Sequence, residues 1–300
     1  MKRITLSLVI AALSGCQLWV DVDAPQCTSD KQCVGMLGRG YTCSAANVCE
    51  KPMAHADAGS EDDRPPLAPR WQCAREEPKG FVQDPNKKIK LRMDVVDVLM
   101  MKVPEGLHAM ACTPGDVDCE RPIASDVKPA GDGFMEFELP LGFEGFVKVE
   151  APGYVPGLSY DNRPYTESVT TSGPAIIQPG ALSVIASASG TMSDASLGLA
   201  FLEVRDCFDA AGEGVSFEPL GGNMPFYFNG ALPARDLTMT SISNQLGANR
   251  EPRAVGGFSD IKPGFTTFKA VVPETREVLS SVTVVIKSGY ITYVRMRAGY

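Results

Sequence analysis

The feature that most constrains this chain is a rhythm of short stretches in which apolar and polar residues alternate, parted by glycine and proline. Ile89-Lys90-Leu91-Arg92-Met93-Asp94-Val95, Phe134-Met135-Glu136-Phe137-Glu138-Leu139 and Phe146-Val147-Lys148-Val149-Glu150 carry it most clearly. A period of two is what a half-buried antiparallel strand needs, since successive side chains point to opposite faces. Turn clusters part these stretches, at Pro129-Ala130-Gly131-Asp132-Gly133 and Gly142-Phe143-Glu144-Gly145. In the later half Leu182-Ser183-Val184-Ile185-Ala186, Val215-Ser216-Phe217 and residues 199–205, 265–271, 278–286 and 290–296 also read as strands. Lys287-Ser288-Gly289 predicts a hairpin turn between the last two. Helical periodicity is nearly absent, with one short helix expected at 193–196 because Ser193 and Asp194 are good N-caps. The expected fold is mainly β: two tandem antiparallel β-sandwich domains, at 71–170 and 171–300, after a small disulfide-rich module and a flexible linker.

The nine cysteines sharpen this organisation. Cys27, Cys33, Cys43 and Cys49 fall in a segment, 27–50, full of turn formers and nearly empty of large apolar side chains. So small a unit cannot bury a core, and two disulfides are expected to replace one. Zinc is the competing reading, but paired zinc ligands usually lie two to four residues apart and these pairs are separated by five. Residues 51–70, with Glu61-Asp62-Asp63 and Pro65-Pro66, have no periodicity and read as a disordered, solvated linker. Further on, Cys112 and Cys119 flank the turn-rich Thr113-Pro114-Gly115-Asp116-Val117-Asp118, which can bring two Cα atoms to disulfide distance. Cys73 and Cys207 then remain, and if both are oxidised they join each other. One cysteine, Cys16, makes the count odd.

Cys16 closes a different pattern. Met1-Lys2-Arg3 and an apolar run at 4–13 form a secretory signal too short to span a bilayer. Leu13-Ser14-Gly15-Cys16 resembles the lipobox of bacterial lipoproteins. The resemblance implies that residues 1–15 are a signal peptide and that Cys16 becomes the lipidated first residue of a tether at 16–26. It also leaves eight cysteines, an even number suited to an oxidising compartment. Gln17 stands where an aspartate would retain such a protein in the inner membrane, so the resemblance implies the outer membrane, lipid-anchored, facing the periplasm or cell surface. Two or more acyl chains, palmitate among them, anchor stably where one does not. Apolar stretches beyond residue 13, such as 197–204 and 282–286, are shorter than the ~18 residues a membrane helix needs. Of 28 basic residues two leave with the signal, and against 36 acidic ones the mature formal charge is −10. Such a chain is a poor partner for nucleic acid.

A second resemblance lies in residues 197–297. It is carried by Val204, Asp206-Cys207, Glu213-Gly214-Val215 and Phe217, then by Gly256-Gly257-Phe258-Ser259-Asp260-Ile261-Lys262-Pro263-Gly264-Phe265, then by Val294-Arg295-Met296. These resemble the carboxypeptidase-regulatory-like, or transthyretin-like, sandwich. A weaker echo at 89–154 includes Gly145-Phe146-Val147-Lys148-Val149 and Ala151-Pro152-Gly153-Tyr154. The resemblance implies non-catalytic β modules used as spacers, stabilisers or binding surfaces. The cysteine module at 27–49 resembles small EGF-like repeats of bacterial surface lipoproteins through its four cysteines alone.

No catalytic constellation rises from the residues. His55 lies in the linker and His108 beside Leu107, and neither has the sequence neighbours of a base or metal ligand. Nucleophile elbow, phosphate loop and zinc-protease helix motifs are all missing. Asp116-Val117-Asp118-Cys119-Glu120 invites a calcium reading, but an EF-hand loop starting at Asp116 would hold Arg121 and Val127 where glycine and glutamate are needed. Aromatics at Phe226-Tyr227-Phe228 and at Tyr154, Tyr160 and Tyr165 read mainly as sandwich core, with a ligand platform as the alternative. The expectation is a non-enzymatic envelope module, without cofactor or metal, that binds an envelope protein or polysaccharide. The alternative is a carbohydrate-active or peptidase-like hydrolase with its site in the insertion at 220–253.

Overall fold

In a computed structural model the described residues are 66–300, apart from 78–79, 98–101, 191–193, 230–231, 235–241 and 244–251, together with one strand pair ahead of them. That pair belongs to a unit of its own, Met1–Arg64. It consists of β1 (Thr42–Cys43) and β2 (Cys49–Glu50), antiparallel, with Cys43 opposite Cys49 in the register. Cys16, Cys27, Cys33 and His55 lie outside the described residues, as do the tether and the linker up to residue 65.

The second unit, Pro65–Tyr300, is mainly β. Its first part holds β3 (Asp84–Asp97), β4 (His108–Cys112), β5 (Ala124–Val127), β6 (Phe134–Leu141), β7 (Phe146–Glu150), β8 (Gly157–Asp161) and β9 (Val169–Ile176). A helix, α1 (Pro179–Ala188), follows. The later part holds β10 (Gly198–Arg205), β11 (Ser216–Phe217), β12 (Phe226–Asn229), β13 (Leu232–Ala234), β14 (Ile242–Ser243), β15 (Pro252–Ile261), β16 (Gly264–Val271), β17 (Val278–Ile286) and β18 (Ile291–Arg297).

Two sandwich cores result, each under its own small sheet. The first packs Leu91, Met93 and Val95 of β3 and Met135, Phe137 and Leu139 of β6 against Ala109 and Ala111 of β4 and Val147 and Val149 of β7. The second packs Phe217, Phe268, Leu279, Val284 and Ile286, from the sheet β11-β16-β17, against Ala200, Leu202 and Val204 of β10 and Val294 and Met296 of β18. In both, the alternation of the sequence supplies the buried set and leaves Glu136 and Glu138, for example, on the outside.

One large sheet backs both cores. Its order is β13-β12-β15-β10-β18-β8-β7-β4-β5, with β14 on β15, ten strands among the described residues. The join is the parallel pairing of β18 with β8, which aligns Ile291 with Gly157 and Arg295 with Asp161. The boundary expected at residue 170 is therefore bridged by hydrogen bonds between strands whose partners lie 134 residues apart in the chain, and it cuts through β9. β9 belongs to the first core's sheet β6-β3-β9, where it runs parallel to β3.

Four local readings are corrected. Residues 287–289 are not a hairpin: β17 stays in the small sheet while β18 crosses to the large one, between β10 and β8, and Gly289 (φ 69°) makes the crossing. The chain makes the same crossing between β15 and β16. Residues 182–186 are helical: Pro179 opens α1, and Ala181 and Ile185, four apart, are buried on one face while Val184 is 55% exposed. The helix expected at 193–196 is, over its described part, a turn in which Asp194 accepts the Ser196 N–H. Finally, residues 66–70 are not linker. Leu67 is buried with Trp71 in the second core, at the start of a 3-10 helix (Pro69–Arg75).

Candidate functional site

The strands β10 and β18 bury both of their faces and the Asp161 side chain at the end of β8 is 4% exposed, so the residues pointing away from the second core are withdrawn from water. On β10 these are Phe201, Glu203 and Arg205; on β18 Ile291, Tyr293, Arg295 and Arg297; on β8 Asp161. The register lines Glu203, Arg295 and Asp161 in one row across three strands. Toward one end this face is apolar, with Phe201, Val255, Ile291 and Tyr293 packed beneath Ala181 and Ile185 of α1. Toward the other it is ionic.

The ionic end is a network of paired side chains that leaves Arg253 Nε and Arg295 Nε buried without a hydrogen-bond partner among the described residues. Arg205 Nε donates to Glu203 Oε1 at 2.6 Å, and the Tyr293 hydroxyl donates to Glu203 Oε2. Arg253 Nη1 reaches the Tyr293 oxygen at 3.3 Å. Arg295 stands 3.5 Å from Glu203 Oε2 and 3.6 Å from Asp161 Oδ2. The same guanidinium donates to Thr171 Oγ1 at 2.6 Å and to the Ser172 carbonyl at 2.8 Å, both on β9. Arg297 pairs with Asp161 and donates from Nε to Asp209 Oδ1 at 2.8 Å. Arg295 thus ties the first core's sheet to the large sheet.

Electrostatics explain why such a layer is tolerated. Burial pushes the Glu203 carboxyl up, but Arg295, Arg253 and Arg205 outweigh burial and hold it well below the usual carboxylate range. Burial lowers Arg295, and Glu203 with Asp161 more than reverses this. The Tyr293 hydroxyl is pushed up to about 12, by burial first and by the Glu203 charge second. At neutral pH the layer consists of paired ions around a neutral phenol. A buried pair is neutral to weakly stabilising as a whole, yet removing one member strands a charge.

Arg297 and Asp209 carry this layer to the surface, where they line a cleft of about 360 Å³. One wall is the end of the 3-10 helix with Glu76 and Glu77; the other includes Arg163 and Tyr300. Cys73 and Cys207 are joined by a disulfide between these elements, their Cα atoms 5.8 Å apart. Asp206 shapes the turn after β10: its Oδ1 accepts the Phe208 and Ala210 N–H groups, both at 2.9 Å, and its Oδ2 takes Arg70 Nε at 3.0 Å. The turn leaves Phe208 74% exposed. Gly299 (φ 81°) is needed on the floor, because a Cβ there would lie 2.6 Å from the Cys73 carbonyl.

The other residues singled out from sequence fall elsewhere. Cys112 and Cys119 are joined, with Cα atoms 5.5 Å apart, beside buried Phe146 and Leu158. Asp116 accepts the backbone N–H groups of Glu120 and Arg121 at 2.9 and 2.8 Å, and Asp118 pairs with Lys287 at 2.7 Å. No group of three or more His, Cys, Asp or Glu able to hold a metal occurs among the described residues. His108 opens β4 and faces Glu150 across the register, 3.7 Å away. Phe226 and Tyr227 are buried, Tyr227 stacking on Phe217 at 5.6 Å, so these insertion residues extend the large sheet and its cores. Tyr154 donates to Asp97 at 2.6 Å, Tyr160 packs on Phe146 and Tyr165 donates to Asp161.

Sequence reading missed the ionic layer, although it left a trace. Glu203 and Arg205 interrupt an apolar run, and Arg295 and Arg297 alternate with Val294 and Met296 in a strand that is buried throughout. In an exposed strand such alternation marks the solvent face; here a second layer covers that face.

No family model matches the chain, and no curated protein matches it. Among solved structures it is similar to the TIE protein of Bacillus anthracis, at 13% identity over 70% of this chain and 34% of that one, TM-score 0.22. It is also similar to the family CBM26 module CBMbc of Eubacterium rectale Amy13K, solved with maltoheptaose, at 8% identity over 70% and 93% of the chains, TM-score 0.22. The shaft pilin SpaA of Lactobacillus rhamnosus GG follows, at 10% identity over 70% and 98%, TM-score 0.20. The chain spans about a third of the TIE protein chain it matches. At these scores the function rests on the chain's own residues. Among the described residues no helix is long and apolar enough to cross a membrane.

Proposed function

We propose that this chain is a non-catalytic binding and spacer module of the bacterial cell envelope, exported by residues 1–15 and held at the outer membrane by a lipidated Cys16. The observation that carries the reading is where the ionisable groups lie. Glu203 and Asp161 are paired with Arg205, Arg295 and Arg297 between two cores, an arrangement that fixes two sandwiches as one body. The disulfide Cys73–Cys207 adds a covalent tie to the same unit. A body of this kind suits a spacer or docking surface better than a hinged clamp, and the lipobox resemblance supplies its attachment. The test is labelled palmitate incorporation with membrane fractionation. The parent protein is expected to take up label and sediment with membranes, and Cys16→Ala to lose the label and leave the membrane fraction or keep its signal. An unlabelled parent, or unchanged membrane association of the variant, sinks the reading.

A further inference from the structure

The cleft beside Cys73 and Cys207 has a lining whose unsatisfied groups are specific in kind. Glu76 and Glu77 are exposed on one wall and have no ion-pair partner among the described residues. Arg163 faces them from another element; its guanidinium reaches Asp209 only at 4.0 Å, and its side chain is 40% exposed. Asp209 is already held by Arg297. Phe208 also lines the cleft, 74% exposed, on a turn whose backbone is held by the bond from its N–H to Asp206.

A simple cation would meet Glu76 and Glu77 but be repelled by Arg163, and a simple anion the reverse. A neutral ring bearing several hydroxyls satisfies both walls, since each hydroxyl donates to a carboxylate or accepts from a guanidinium. Its C–H face has a place on the exposed aromatic ring, and its hydroxyls on the polar groups that dominate the lining. The volume, about 360 Å³, lies near the lower end of the ~300–1,000 Å³ span of ligand sites, enough for a short stretch of a longer chain. We propose that this cleft binds a neutral saccharide chain, with Phe208 as the stacking platform and Glu76, Glu77 and Arg163 as the hydroxyl-reading groups. The inference rests on the reading of the protein as a binding module and names the class of its ligand.

The experiment is calorimetric titration of the full mature protein, in a sugar-free detergent, with cellohexaose, maltohexaose and chitohexaose. At least one is expected to bind, with an affinity that changes little between about 50 and 500 mM salt because the ligand is uncharged. Phe208→Ala is expected to weaken binding roughly tenfold, as loss of a central aromatic anchor does, and the pair Glu76→Gln and Glu77→Gln to weaken it as well. All three side chains are exposed, so thermal midpoints should stay put. Absence of binding to every hexaose, indifference to Phe208→Ala, or displacement of the sugar by the zwitterionic dipeptide Ala-Ala overturns the saccharide assignment. Because membrane association is measured separately, such a failure leaves the anchoring reading standing. Release of new reducing ends from a bound hexaose would instead overturn the non-catalytic reading.

Discussion

The first core and the second are built from the same alternating strands, yet they are locked differently. Around the first, the disulfide Cys112–Cys119 closes a loop of seven residues, and the buried carboxylates of β3, Asp94 and Asp97, accept from the Gly173 N–H and the Tyr154 hydroxyl. Around the second, Cys73–Cys207 spans 134 residues, and the reverse face of β10 and β18 is occupied by Glu203, Arg205, Arg295 and Arg297. A local link restrains a loop that turns already bring together. A distant link and an ionic layer instead hold elements whose meeting costs much chain entropy. The difference teaches that the Arg64-distal unit is organised by its second half, onto which Leu67, Trp71 and β8 are docked.

Breaking the two disulfides separately tests this contrast most strongly. In the chain-entropy model, replacing Cys73 and Cys207 by Ser should cost about 5 kcal/mol of unfolding free energy, against about 2.5 kcal/mol for Cys112 and Cys119. Urea unfolding followed by tryptophan fluorescence reads both, since Trp71 sits in the second core beside the long-range link. Equal losses would mean that the long loop is already closed in the unfolded chain.

Next in size is the ionic layer. Arg295→Met leaves Glu203 to Arg205 and Asp161 to Arg297 but removes the guanidinium that bonds β9, and should destabilise by about 1–3 kcal/mol, with the contact of β9 to the large sheet loosened. Hydrogen exchange at Thr171 and Ser172 is the local readout, because those residues accept from Arg295. A loss below about 1 kcal/mol, the value of a surface pair, would show that the layer is solvated.

The smallest and most selective effect is on pH dependence. Glu203 is held below its unfolded value of about 4.3, so folding it favours the ionised form. Its contribution is complete above that pH and is lost as pH falls through the folded value, because the unfolded chain takes up the proton first. Stability should therefore decline below about pH 4.3 more steeply in the parent than in Glu203→Gln. Identical slopes in the two proteins would remove Glu203 as a contributor.

The sequence by itself determined the strands and their inward faces, because a period of two is a local property that burial rewards wherever the strand ends up. It also determined that turns at Gly133, Gly142 and Gly289 break those strands, since each adopts a positive φ that other residues resist. Cysteine elimination paired Cys73 with Cys207, and the structure brings them together. Which sheet a strand joins was not legible: β17 and β18 read as a hairpin, and only the competing pairings of β18 with β10 and β8 send it across the sandwich. Residues 182–186 were ambiguous for the same reason, a short apolar run serving a helix or a strand equally until α1 covers Phe201 and Tyr293. The ionic layer and the cleft were decided by tertiary structure alone. Glu203, Arg295 and Asp161 lie far apart in the chain, and whether charges on a strand face water or one another depends on what is laid over that face.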